Sequence, residues 1–510
     1  MKKLLLLAGI FFISGAALLA QRTEHHAPAK ITKDSSAPAI PDHVPPPVVT
    51  RSSVTINGKV INYTATTGYM IMKDEEGKPK ANIFFIAYTK DDIADKATRP
   101  LTFAYNGGPG SSSVWLHMGL IGPRRVELND TGEAMAPPYR YVNNEYSWLD
   151  KTDVIFIDPV TTGYSRQAKG EDVNQFHGYQ EDITSVGDFI RQYVSKYERW
   201  GSPKFLAGES YGTTRSAGLS GYLQDKYGMY LNGIVLISSV LNFETLNFSR
   251  GNDLPYILFL PTYAASAWYH HKIAPDLQGD LQKALAEAKE FAGNEYTIAL
   301  MKGDQVSPEE KTKVINEMHR LTGLSEEYIS RSNLRVDIEH FCKELLRDEG
   351  KSIGRYDSRL VNTDYDDISP TPDNDPSYSA VLGAFSGAIN EYLAKDLKFQ
   401  NPETPYNILT SVWPWPYNSD NRYFYNSETL RKAMTDNKYL KVWIVCGDYD
   451  LATPFFAAEY VAHHMGLRPY QQSRLHFTYY QSGHMVYLNH PSLVKLKKDV
   501  DEFYDSAVSK

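Results

Sequence analysis

The run KFLAGESYGTTRSAGLSGYL, residues 204–223, decides the fold. Its first four residues are a short apolar strand signal, and residues 211–223 are compatible with a helix. Between them Gly208, Ser210 and Gly212 form a Gly-x-Ser-x-Gly turn. A strand that turns this sharply into a helix leaves no room for side chains at the flanking positions, so glycine is needed at both ends and the serine hydroxyl stands proud of the sheet. The plain alternative for the same residues is an ordinary glycine-rich turn.

Working outward, residues 100–105, 154–157 and 234–238 repeat the pattern of a short apolar run followed by turn residues. Residues 180–197 place Ile183, Val186, Ile190, Tyr193, Val194 and Tyr197 on one face at helical spacing. Buried strand alternating with amphipathic helix predicts a mostly parallel sheet with helices on both faces. Upstream, residues 54–89 are rich in Val, Ile, Thr, Tyr and Phe and are broken by Asn57-Gly58 and Glu76-Gly77, so antiparallel strands open the domain. The rhythm is lost after Val240 and returns with apolar runs at 441–446 and 476–480. The interval is an insertion with helical stretches at 281–292 and 325–347 and an Asp-, Pro- and Ser-rich loop at 364–379. Inserted after a strand's carboxyl end, it falls on the side where open α/β sheets bind ligands and is expected to form a cap.

A chain of 510 residues exceeds what one undecorated core supports. Its formal charge of -8 is spread along the sequence, and no basic cluster interleaved with aromatics offers a nucleic-acid surface. Lys2 and Lys3, an apolar run over 4–12 and small residues to Ala20 predict a cleaved signal peptide, since the apolar run is short for a membrane span. Residues 21–50 read as a Pro- and Ala-rich tether. The expected organisation is signal peptide 1–20, tether 21–50, first core segment 51–245, inserted cap 246–411 and second core segment 412–510. The product is then an exported protein, periplasmic or extracellular, with no membrane attachment once the signal is removed. Cys342 and Cys446 are expected to remain unpaired, because stability at this size needs no staple.

A serine hydroxyl needs a base, normally a histidine held by a carboxylate. Asp450 follows the run at 441–446, and His484 follows the run at 476–480. The order Ser210, Asp450, His484 is the one used by the α/β-hydrolase fold, which is the expected fold class: a mostly parallel central sheet, helices on both faces and a large inserted cap. Asp450 is preferred to Asp448 because it lies farther past the strand end. His117, His270, His271 and His340 follow no late core strand and are expected at the surface or in a pocket. Asn106-Gly107-Gly108-Pro109-Gly110, after the run at 100–105, suits an oxyanion hole formed by the N–H groups of Gly108 and Tyr211.

With these residues in place, the sequence resembles the serine carboxypeptidase family, as a bacterial-type member, from about Gly68 to Pro491. The likeness rests on NGGPGSSS (106–113), Gly122-Pro123, Ser147-Trp148, Ile157-Asp158, Gly163-Tyr164-Ser165, GESYG (208–212), the segment from Gly447 to Asp450, and Gly483-His484-Met485. It implies removal of residues from the carboxyl end of peptides without a metal or organic cofactor. It also implies that Asn106, Gly107 and Glu209 recognise the substrate carboxylate, with Met485 beside the base as a further substrate contact. Leu120 stands where the family carries a second Glu, Ala104 where it carries Trp, and Ser111 where it carries Cys. Without a partner for Glu209 the acid preference is expected to weaken, although desolvation beside Leu120 pulls the other way. Fold and triad do not separate a peptidase from an esterase or acyltransferase, whereas the intact Ser210, Asp450, His484 set and oxyanion loop argue against a binding protein that has lost catalysis. Oligomeric state is not legible.

Overall fold

Asn57 and Gly58 adopt positive φ values of 50° and 73°, the left-handed pair that a two-residue hairpin needs. Strands β1 (Val48–Ile56) and β2 (Lys59–Lys73) pair antiparallel across that turn. The computed structural model describes residues 44–508, so the expected signal peptide and the tether up to residue 43 lie outside the described residues. The boundary of the tether is corrected: Val48, Val49 and Thr50 belong to β1, where β-forming side chains are paired with Thr67, Thr66 and Ala65.

The remaining strands of the central sheet are β3 (Pro79–Lys90), β4 (Leu101–Tyr105), β5 (Asp153–Ile157), β6 (Lys204–Glu209), β7 (Gly233–Ile237), β8 (Lys441–Gly447) and β9 (Leu475–Tyr480). Their order is β1-β2-β3-β5-β4-β6-β7-β8-β9, with a short tenth strand, Arg166–Gln167, on β3. From β5 to β9 all pairings are parallel, and the first three strands add to them antiparallel. Alternate residues of the same strand enter two different cores: Ala104, Phe205, Ala207, Val235 and Val445 on one face, Phe103, Leu206, Leu236 and Ile444 on the other. Burial on both faces explains why these strands read as continuous apolar runs.

Helix α1 (Tyr179–Lys196) covers one face through Ile183, Val186, Phe189, Ile190 and Tyr193, and α2 (Tyr211–Tyr227) packs on the same side. Between β7 and β8 the insertion builds a third core of its own, from α3 (Leu254–Tyr269) through Phe291, Met318, Phe341 and Ile353. Two features differ from the sequence reading. The stretch 325–347 is two short helices, Glu326–Arg331 and Ile338–Glu344, broken where Asn333 and Leu334 take positive φ and Asp337 caps the second. Helix α4 (Pro376–Lys395), inside the expected cap, instead completes the first core: Val381, Ala384, Phe385, Ala388, Ile389 and Tyr392 recur at helical spacing and are buried there. His117 is likewise neither surface nor pocket. It is buried in that core, bonded to the Tyr88 hydroxyl at 2.8 Å, and burial lowers its pKa to about 3. Cys342 and Cys446 are buried free thiols. No described helix is long and apolar enough to cross a membrane.

Candidate active site

Ser210 is the hinge between β6 and α2, and its backbone sits at φ 59°, ψ -130°. That conformation is costly for a non-glycine residue and persists only where its surroundings over-determine it. The glycines supply that constraint. A Cβ on Gly208 would overlap the Gly212 carbonyl, and one on Gly107 would overlap the amide nitrogen of Tyr211. The loop after β4 is thereby pressed against the first turn of α2. Tyr211 is the first residue of that helix, so its N–H has no intrahelical carbonyl to bond, and Gly108, at φ 100°, is exposed beside it.

Beneath this turn lies a buried ion pair absent from the sequence reading. Arg215 Nε donates to Asp182 Oδ2 at 2.8 Å, its Nη1 donates to the Asn106 carbonyl at 2.7 Å, and the Tyr211 hydroxyl donates to the same Asp182 oxygen at 3.2 Å. Helix α1, helix α2 and the glycine loop are tied at one point. The side chain of Asn106 points the other way: Nδ2 donates to Glu209 Oε1 at 2.7 Å, and Oδ1 accepts from the Leu116 amide at 3.0 Å. Glu209 is almost fully buried, and burial raises its pKa to about 7 against the lowering influence of His484, Tyr487 and Asn106. Leu120 is fully buried within the first core, in the short helical turn His117–Ile121.

Asp450 and His484 come from loops after β8 and β9. Asp450 Oδ2 accepts from His484 Nδ1 at 2.9 Å, while its Oδ1 accepts the amides of Ala452 and Thr453 at 2.8 and 3.0 Å. Thr453 Oγ1 donates to Asp450 Oδ2 at 2.7 Å and lies 3.1 Å from His484 Nδ1. Burial disfavours the imidazolium, but the adjacent Asp450 carboxylate outweighs it and the pKa of His484 is raised. With Nδ1 engaged, the buried Nε2 is free of hydrogen bonds. Asp448 does not line the cleft; burial lifts its pKa to about 7 despite the nearby Lys289, Lys495 and Arg359.

The insertion holds these two loops together. The His484 amide donates to the Tyr356 carbonyl at 2.6 Å, the Leu451 amide to that of Arg355 at 3.1 Å, and the Ser358 amide to that of Tyr449 at 3.1 Å. A Cβ on Gly483 would overlap the Tyr356 carbonyl, which explains the glycine before the histidine. From the sheet side, Ser238 Oγ donates to the His484 carbonyl at 2.6 Å.

All the sequence-predicted residues except Asp450 line one cleft of about 200 Å³: Asn106, Gly107, Gly108, Glu209, Ser210, Tyr211, His484 and Met485. Asp450 is fully buried just behind the imidazole. Thr453, Arg355 and Tyr356 also line the cleft and were missed. Thr453 had a readable signal, an Asp with a threonine three residues later, which is turn chemistry. Arg355 and Tyr356 had none, because their position depends on how the insertion folds back.

A family profile described as "Serine carboxypeptidase" matches residues 56–488. Among curated proteins, the chain is similar to the pheromone-processing carboxypeptidase KEX1 of Saccharomyces cerevisiae, 37% identical over 145 residues, 27% of this chain and 19% of that protein. It is also similar to carboxypeptidase Y of the same yeast, 31% identical over 160 residues, 29% of this chain and 25% of that protein. These matches therefore span about a fifth to a quarter of the relatives' length. The crystal structure of KEX1(Δ)p superposes with a TM-score of 0.53 at 19% identity, covering 87% of this chain and 91% of that one. At that identity the likeness concerns the fold, which is the α/β-hydrolase fold.

Proposed function

The chain belongs to the serine carboxypeptidase family, and from that premise we propose that it is an exported serine peptidase that removes residues from the carboxyl end of peptides through an acyl-enzyme on Ser210. The observation that carries the reading is the joining, in one cleft, of a nucleophile-and-base set to the Asn106–Glu209 pair. In the proposed reaction His484 Nε2 takes the Ser210 proton as Oγ attacks the scissile carbonyl carbon. Asp450 fixes the imidazole so that Nε2 carries the free lone pair and stabilises the imidazolium that results. The N–H groups of Gly108 and Tyr211 receive the negative oxygen of the tetrahedral intermediate. Collapse breaks the C–N bond, His484 returns the proton to the leaving amine, and water repeats the sequence to release the acyl group.

Glu209, kept neutral by burial below about pH 7, can donate a hydrogen bond to the carboxylate of the departing residue, alongside Asn106 and Gly107, with Met485 against its side chain. A neutral acid here serves better than a charged one, because a second negative charge would repel the substrate.

The test is to incubate the purified protein with a peptide library and read the products by mass spectrometry, with fluorophosphonate labelling in parallel. Stepwise loss of carboxyl-terminal residues is expected, together with labelling that Ser210→Ala abolishes. Turnover of esters without any peptide trimming would instead assign the same acyl-enzyme to an esterase or acyltransferase, and absence of labelling would leave a binding protein.

A further inference from the structure

The cleft contains one cation that none of the chemistry above uses. Arg355, on the segment of the insertion that pins the Asp450 and His484 loops, lines the cleft and is exposed. Among the described residues its guanidinium makes no hydrogen bond or ion pair. Its backbone amide donates to Asp375 Oδ1 at 3.2 Å, and the guanidinium carbon lies 5.3 Å from the Tyr356 ring centroid. The neighbouring Arg359, by contrast, is engaged at all three nitrogens: Nη2 donates to Asp357 Oδ2 at 2.6 Å, Nε to Oδ1 at 2.9 Å, and Nη1 to the Gln481 carbonyl at 3.1 Å. Of two arginines four residues apart, one is structural and one has its donors unspent.

An arginine presents a planar fork that matches a carboxylate through two parallel N–H···O bonds. Its surroundings contain acids, namely Glu339, Asp375 and Asp450, but none is in bonding reach. The Arg355 carbonyl accepts the Leu451 amide at 3.1 Å, one residue past Asp450, whereas Glu209 is bonded to Asn106 Nδ2 at 2.7 Å. Arg355 therefore joins the cleft from the Asp450 side and has no bond to the Asn106–Glu209 pair.

We propose that Arg355 is a specificity-determining residue that receives a substrate carboxylate in the cleft. The placement favours an acidic side chain close to the scissile bond over the terminal carboxylate, for which the Asn106–Glu209 end is suited. This inference rests on the reading of the cleft as a peptide site.

The experiment measures kcat/KM for the wild type, Arg355→Gln and Arg355→Lys on four short peptides. They differ only in a Glu or a Gln before the scissile bond and in a free acid or an amide at the carboxyl end. A pair of p-nitrophenyl esters, with and without a carboxylate in the acyl chain, is run beside them. Arg355→Gln is expected to lower kcat/KM at least tenfold more for the Glu peptide than for its Gln partner, with Arg355→Lys recovering part of the difference. A differential that follows the acid and amide ends would assign the same carboxylate contact to the substrate terminus. Equal losses on every member would overturn the proposal and leave Arg355 a structural residue of the clamp. If the wild type hydrolyses the esters but no peptide, the peptidase reading fails by itself, and the ester pair still decides whether Arg355 reads a carboxylate.

Discussion

Ser210 and His484 reach one cleft from regions built on different principles. The serine side is a close-packed junction of β4, β6 and α2 in which backbone meets backbone, with Gly107, Gly208 and Gly212 at the contacts and the buried Arg215–Asp182 pair below. The histidine side is two loops joined by hydrogen bonds to a third, residues 355–358 of the insertion, which is distant in sequence from both. Covalent neighbours and the sheet position Ser210. Long-range closure positions His484, and its geometry depends on a segment that itself lines the cleft. The difference teaches that the two halves should fail differently when perturbed: the serine side through stability and rate together, the histidine side through rate first.

The largest effect tests whether the halves act as one unit at all. Ser210→Ala and His484→Ala are each expected to lower kcat by roughly 10⁴ to 10⁶, and the double change should be little worse than either. Multiplying losses in single-turnover assays of the purified variants would dissolve the unit. Next come the two close-approach glycines. Gly107→Ala forces a methyl group onto the Tyr211 amide; since neither β6 nor α2 can retreat, it should cost about 3 kcal/mol, the upper end for overpacking, and lower kcat by roughly 10² to 10³ as an oxyanion donor is displaced. Gly483→Ala meets the Tyr356 carbonyl instead, on a segment joined to its neighbours by single backbone hydrogen bonds and not paired into the central sheet. A stability loss nearer ~1 kcal/mol with a kcat loss of about tenfold or more is expected, read by urea melts and kinetics on the same samples. If the two variants lose stability equally, the distinction between the halves is wrong.

A smaller effect probes the histidine side alone. Thr453→Val removes the hydroxyl that donates to Asp450 Oδ2 at 2.7 Å while keeping the shape. A hydrogen bond to a charged group is worth about 1.5 to 3 kcal/mol, so kcat should fall by roughly ten- to a hundredfold, with KM little changed because Thr453 acts through Asp450 and His484 rather than on the substrate. Thr453→Ser should restore most of the rate. A fall in KM-linked binding instead of kcat would move Thr453 to a substrate contact.

The same contrast explains what could be read from the sequence. Strand runs, the 180–197 helix and the serine turn are local patterns, because two-faced burial writes continuous apolar strands and tight backbone contacts write glycines. Asp450 and His484 were legible because each directly follows a core strand. Arg355, Tyr356 and the Arg215–Asp182 pair were not, since isolated arginines, tyrosines and aspartates acquire meaning only through contacts distant in sequence. The assignment of α4 to the cap failed for a related reason. Its apolar stripe at 381, 384, 385, 388, 389 and 392 was readable as a helix, but a stripe does not say which core it enters, and this one completes the core of the sheet. The break in 325–347 turned on positive φ at Asn333 and Leu334, a tertiary demand placed on residues with no strong turn signature as a pair.

The smallest effect concerns pH and the serine side's own acid. The sequence reading expects a weakened acid preference, because Leu120 removes the carboxyl partner of Glu209, with desolvation pulling the other way. Burial dominates, and the Glu209 carboxyl is pushed up to about 7, with His484, Tyr487 and Asn106 pulling down and Asp450 up. Burial, with Asp450 adding to it, thus supplies a shift that a paired carboxyl would otherwise supply. The sign follows directly. On the proposed reading the neutral acid donates to a substrate carboxylate below about pH 7 and the anion repels one above it, so for a free-acid peptide KM should rise by up to about tenfold per pH unit on the alkaline side. An amidated peptide carries no charge there and should keep its alkaline plateau. On the acid side both substrates lose kcat together, because His484, whose pKa is raised by Asp450 against the effect of burial, must be neutral to accept the serine proton. Folding follows the same sign: a carboxyl raised in the native state adds stability that is full below its ordinary value near 4.5 and is lost as the pH climbs through about 7. Glu209→Gln, neutral at every pH, should therefore flatten both the alkaline limb for the free acid and the decline in thermal stability between pH 5 and 8. Profiles of kcat/KM for the acid and amide peptides with wild type and Glu209→Gln check the whole argument. Identical alkaline limbs for acid and amide would show that Glu209 does not face the substrate carboxylate.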